Sequence, residues 1–163
     1  MRRYVFDSNA VDPIADLPGA YEVVRAAVDE KHIEILFPHI TLDELSQVKE
    51  LERRQLLLVV LVSLARLVFS GGFVLDQSRL DQARLSEDTV TFDVLKSGKD
   101  RNTRDALIGV TAEFEQCTLV TRDDELSRNA HANGGDVVAP LDFLAQLGFA
   151  DSAEQAPSPP WMR

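Results

Sequence analysis

The chain has 163 residues, 45% of them apolar and 27% charged, which suits one globular domain with a sizeable core and leaves little room for a second. Its formal net charge of −10 excludes a protein that grips phosphate backbones by overall charge alone. The single cysteine, Cys117, excludes an intramolecular disulfide. Asp7 interrupts the start before any continuous apolar signal region forms, so a reducing cytoplasm is the expected setting.

In chain order, Tyr4-Val5-Phe6 is a short apolar run that stops at Asp7, as a buried strand does. Val11 to Leu17, punctuated by Pro13 and Pro18, predicts a loop or a short helical turn. Ala20, Val23, Val24, Ala27 and Val28 recur at helical spacing. Ile33 to Phe37 reads as a second strand, and a helix follows from Thr41 with Leu42, Leu45 and Val48 on one side. A longer helix is expected from Arg53 to Phe69, stopped by Gly71 and Gly72. Its apolar core, Leu56 to Ala65, is far shorter than the ~20 residues a bilayer demands, so it predicts a buried or dimer-facing helix and no membrane span.

Phe73 to Leu75 suggests a short strand, followed by a polar helix-prone stretch to about Leu95 and a flexible break at Ser97-Gly98-Lys99. Leu107, Val110 and Phe114 mark another helix, Cys117 to Val120 a strand, and Leu126 and Ala130 a helix closed by Asn133-Gly134-Gly135. Val137-Val138 and Leu141 to Leu147 complete the alternation. Strands separated by helices predict an α/β fold, three layers α/β/α around a mainly parallel central sheet. Residues 1–150 would form that domain; residues 151–163, with Pro157, Pro159 and Pro160, would form a disordered proline-rich tail.

Ligands in such sheets gather beyond the carboxyl ends of the strands. Asp7 and Asp123 follow strands there, and Glu44 and Asp105 are expected in the first turns of helices. Each acid also has a structural explanation. Thr41 and Glu44 match a capping box, Asp105 suits the positive end of a helix dipole, and Asp7 suits an Asx-turn. Asp124, three residues after Thr121, is expected as a capping acid, which leaves Asp123 free to face a pocket. Clustered carboxylates repel one another unless a cation sits among them, and oxygen ligands without His or Cys favour Mg²⁺ or Mn²⁺. His32, His39 and His131 lack metal-ligand spacing, and neither Gly-Gly pair has the neighbours of a phosphate-binding loop. Basic residues cluster twice, at Lys49, Arg53 and Arg54 and at Lys96, Lys99, Arg101 and Arg104.

Four segments, taken in order, carry a likeness: Tyr-Val-Phe-Asp7-Ser-Asn9, Ile-Thr-Leu-Asp-Glu44-Leu, Arg104-Asp105-Ala-Leu-Ile-Gly-Val-Thr-Ala and Thr-Leu-Val-Thr-Arg-Asp123-Asp-Glu-Leu. They resemble the motifs of PIN domains, most closely the VapC-type toxins, over roughly Arg3 to Leu147. The longer, more polar stretch from Asp76 to Lys99 and the tail depart from the smallest members.

The resemblance implies that Asp7, Glu44, Asp105 and Asp123 are the catalytic and metal-holding acids of an Mg²⁺- or Mn²⁺-dependent endoribonuclease. Asn9 and Thr121 would be polar helpers, Asp124 a reserve fourth acid, and Lys99, Arg101 and Arg104 guides for the RNA. It also implies an RNA substrate, a cognate antitoxin that plugs the site, and a homodimer face on the apolar helix. Alternatives are an RNA-processing or DNA-repair nuclease with no antitoxin, and a PIN-like scaffold that binds without cutting.

Overall fold

A computed structural model describes residues 1–71 and 103–150. In β1 (Arg2–Phe6) side chains alternate, Tyr4 and Phe6 to one face and Val5 to the other, and all three are buried. Strands with apolar residues on both faces need cover on both, which is the condition for a parallel sheet. β2 (Ile33–Pro38) pairs in register, Tyr4 beside Ile35 and Val5 beside Leu36. β3 (Ala65–Val68), β4 (Thr118–Val120) and β5 (Val137–Val138) extend the sheet to the order β3-β2-β1-β4-β5, every pairing parallel.

Helices cover both faces, as the expected three layers require. Tyr4, Phe6, Ile35, Phe37 and Val120 meet α1 (Val11–Asp16), α2 (Ala20–Asp29), α4 (Leu51–Leu64) and α7 (Pro140–Gln146). Val5, Leu36 and Leu119 meet α5 (Thr103–Phe114) and α6 (Asp124–Ala132). α3 (His39–Ser46) contributes Leu45 to the first core and Ile40 to the second. Gly134, at a φ of +82°, stops α6 as expected, in a conformation that glycine adopts without a Cβ clash.

Two expectations change. Val11 to Asp16 is a true helix, Pro13 falling in its first turn where a missing N–H costs nothing. The long helix begins at Leu51 and ends at Leu64, after which Ala65 to Val68 turn extended and pair with β2. Sheet pairing, invisible to an unbroken apolar run, overrides the helical pattern there. Gly71 is therefore no helix stop. A Cβ on it would lie 2.6 Å from the Val110 carbonyl oxygen, so glycine lets this backbone pass against α5, where its N–H donates to Thr111 Oγ1 at 2.9 Å.

α4 buries Leu57, Val60, Leu61 and Leu64 and exposes Leu56, Val59 and Val62. Among the described residues no helix is long and apolar enough to cross a membrane. The predicted strand at Phe73–Leu75, the stretch to Leu95, Lys96, Ser97 to Lys99, Arg101 and the tail from Asp151 lie outside the described residues.

Phe143 stands edge-on to Tyr4 and Phe6, with ring centroids at 4.9 and 5.3 Å, and fastens α7 beneath β1. Phe143→Ala is expected to lower stability by ~3–5 kcal/mol, the usual cost of emptying an aromatic site in a core. The check is the urea midpoint at unchanged m-value; a midpoint equal to wild type would refute this role.

Candidate metal centre

The strand order reverses between β1 and β4, and the crevice beyond their carboxyl ends is where open α/β sheets place ligands. Asp7 lies in that crevice and is only 2% exposed. Its N–H donates to the Val120 carbonyl (3.1 Å), which extends the β1–β4 ladder by one bond. Its side chain caps the short 3₁₀ turn Ser8–Ala10.

Oδ1 accepts from the Ser8 N–H at 2.6 Å; Oδ2 accepts from Asn9 Nδ2 at 2.6 Å and from Thr121 Oγ1 at 2.7 Å. The Asx-turn and the crevice position thus coexist in one residue. Burial still pushes the carboxyl above its ordinary range; the hydrogen bonds oppose that shift and the Asp123 charge adds to it.

Asn9 and Thr121 join the two strand ends. Asn9 Oδ1 accepts the Arg122 N–H at 2.7 Å, and Thr121 Oγ1 accepts the Asp123 N–H at 3.0 Å. A carboxylate, an amide and a hydroxyl therefore tie the turn after β1 to the turn after β4.

The capping box around Glu44 is not formed. α3 starts at His39 behind Pro38, so Thr41 is already inside the helix, and its hydroxyl donates instead to the Phe6 carbonyl at 3.0 Å. Glu44 consequently lies in the second turn, not the first, with no capping duty. Its carboxylate shares a hydrogen bond with the Ser8 side chain. Burial raises it to about 7, and the charges of Asp7 and Asp105 act in the same direction.

Asp105 is in the first turn of α5, as expected. It is raised to about 6, chiefly by burial and then by the charges of Asp7, Asp123 and Glu125, while Arg104 lowers it.

The expected roles of Asp123 and Asp124 exchange. Asp123 is the N-cap of α6, its Oδ1 accepting the Leu126 N–H at 2.7 Å, and Thr121 precedes the cap. Asp124 is exposed in the first turn. Asp123 still belongs with the acids, because its charge acts on both Asp7 and Asp105.

Asp7, Glu44, Asp105 and Asp123 are thus electrostatically linked at one rim. Among the described residues, no three His, Cys, Asp or Glu side chains converge on a point that could hold an ion. Ser8, Glu125 and Arg122 also belong to this rim and escaped the sequence reading. Their signal was position alone, each standing next to or between residues of the motifs.

The basic residues divide. Arg53 is engaged within the fold, pairing with Asp12 and Asp16 of α1, and Arg54 donates to the Val48 carbonyl. Arg104 stands among the acids, acting on Glu44 and Asp105. Of the histidines, His39 is buried in α3, and His32 and His131 are exposed.

Residues 4–132 match the family model of the PIN domain. The chain belongs to the PIN domain family. PIN domains are generally nucleases. In fold, this PIN domain is similar to a chain of VapBC2 from Rickettsia felis, solved bound to a DNA fragment from the promoter, at 18% identity and a TM-score of 0.55, covering 84% of this chain and 98% of that one. It is also similar to PAE2754 from Pyrobaculum aerophilum, at 20% identity and a TM-score of 0.55, covering 90% and 97%. No curated protein matches it by sequence.

With folded values near 7 and 6 against ordinary values of 4.5 and 3.8, Glu44 and Asp105 favour the protonated fold. Their stabilising contribution is complete below about pH 4 and is lost as pH rises through 6 and 7. In EDTA, Glu44→Gln and Asp105→Asn should therefore each stabilise the protein at pH 8, by about 1 kcal/mol once residual solvent contact is allowed for, and not at pH 4. Equal melting shifts at both pH values would contradict this.

Proposed function

We propose that this PIN domain is an Mg²⁺- or Mn²⁺-dependent endoribonuclease and the toxin of a toxin–antitoxin pair. The observation that carries the reading is the linkage of four acids at the β1–β4 crevice, three of them, Asp7, Glu44 and Asp105, held above their ordinary range by burial and mutual charge. Arg104 offsets only part of this negative charge, since Glu44 and Asp105 stay raised beside it, and the donors are all carboxylate oxygens. Mg²⁺ commonly takes one or two carboxylates directly and keeps several waters.

A bound Mg²⁺ or Mn²⁺ supplies activation of water and stabilisation of charge on the phosphodiester. The protein's part is to hold the acids. Asp7 is fixed by Ser8, Asn9 and Thr121, and Asp123 by its capping bond to Leu126. Glu44 and Asp105, raised towards neutrality, release protons readily when positive charge arrives. Arg104 beside them, with Lys99 and Arg101 earlier in the chain, would guide the anionic strand.

The toxin role rests on the motif resemblance to VapC-type proteins, supported by the fold likeness to the VapBC2 chain. A cognate antitoxin is the corresponding partner, and the exposed apolar side of α4 supports the expected homodimer face.

Purified protein with Mn²⁺ should cleave labelled single-stranded RNA, EDTA should stop it, and Asp7→Asn or Asp105→Asn should reduce the rate at least ~100-fold without loss of the folded circular dichroism spectrum. Undiminished cleavage by both variants would overturn the assignment of the site. Expression of the wild-type chain in a bacterial host should arrest growth where Asp105→Asn does not; normal growth alongside strong cleavage in vitro would remove the toxin role.

A further inference from the structure

Most arginines of the described residues serve the fold. Arg3, Arg25, Arg53 and Arg66 close ion pairs with carboxylates, and Arg54 and Arg128 donate to main-chain carbonyls. Arg122 differs. Its side chain is exposed, and among the described residues it enters no ion pair. Its guanidinium contact is a 3.5 Å approach of Nη2 to the Asn9 carbonyl, too long for a strong bond.

Its main chain, by contrast, is fixed. The N–H donates to Asn9 Oδ1 at 2.7 Å, Thr121 before it donates to Asp7, and Asp123 after it opens α6. The fold therefore holds a cation at the edge of the acids without using its charge.

Beyond Arg122 opens a cavity of about 560 Å³, within the ~300–1,000 Å³ usual for ligand sites. Asp123 lines it, so cavity and acidic rim are continuous, and Val137 and Val138 give it an apolar wall. Asp124 and Asp142 also line it. Their carboxylates repel phosphate but accept hydrogen bonds from the amino groups of bases.

We propose that Arg122 binds the phosphate next to the scissile one and directs the adjoining base of a single-stranded RNA into this cavity. The inference rests on the nuclease reading and deepens it, because it gives the strand a direction away from the acids. Charge decides the arrangement: the phosphate lies on the arginine, at the mouth, and the base lies against the valines and the accepting carboxylates. The interaction of Arg122 with Asn9 is mainly through its own main chain, so side-chain substitution leaves that link in place.

The test is steady-state cleavage of labelled single-stranded RNA with Mn²⁺, over a range of NaCl, by wild type, Arg122→Gln and Arg122→Lys. Arg122→Gln should raise KM about tenfold, with the loss falling on KM rather than kcat. It should also flatten the slope of log(kcat/KM) against log[salt] by ~0.7, one phosphate contact on a single strand. Arg122→Lys should restore the slope. Wild-type KM and slope in Arg122→Gln would overturn the inference alone. A fall in kcat at unchanged KM and slope would also overturn it, by showing a role in shaping the turn. Failure of wild type to cleave any RNA would instead remove the nuclease reading beneath it.

Discussion

The site depends on one buried carboxylate. Asp7 ends an apolar strand in the middle of the sheet, where an unpartnered charge would cost several kcal/mol. Ser8, Asn9 and Thr121 answer it with neutral donors. Those donors come from two chain segments over a hundred residues apart, so satisfying Asp7 also aligns the ends of β1 and β4. The same bonds fix the turn that presents Arg122 and the cap that orients Asp123. Burial, with the Asp123 charge adding to it, keeps the carboxylate above its ordinary range although Ser8, Asn9 and Thr121 all donate to it.

The surrounding charges extend this constraint. Glu44 and Asp105 lie near enough to feel Asp7 and are themselves partly withdrawn from water. A fold selected for stability alone would not gather such groups, since neutral or apolar residues would pack there at less cost. The net charge of −10 becomes intelligible on the same ground. Arginines elsewhere are spent on holding strands and helices together.

Much of this was legible in the sequence. Tyr4-Val5-Phe6 and Ile33 to Phe37 announce buried strands, and the α/β alternation yields the parallel sheet with helices on both sides. The four acids could be picked out by order and resemblance. What misled were features that local pattern cannot separate. Leu56 to Phe69 is one apolar run, and only pairing with β2 converts its end into β3. Thr41 and Glu44 have capping spacing, but Pro38 starts the helix earlier and frees both for tertiary duties. Adjacent Asp123 and Asp124 differ by one residue in register, and the exchange of their roles follows from where the N–H of Leu126 falls. Arg122 has no periodicity to reveal it; its significance arises from a turn fixed by Asn9 across 113 positions.

The central claim is that the linked acids form a divalent-cation site. It is tested most directly by calorimetric titration of Mn²⁺ into metal-free protein at pH 6.5, in two buffers of different ionisation enthalpy. The account predicts saturable binding with net release of protons, because Glu44, near 7, and Asp105, near 6, are then partly protonated and must ionise as the cation arrives. Absence of binding, or binding at the wild-type level in Asp7→Asn and Asp105→Asn, would contradict it.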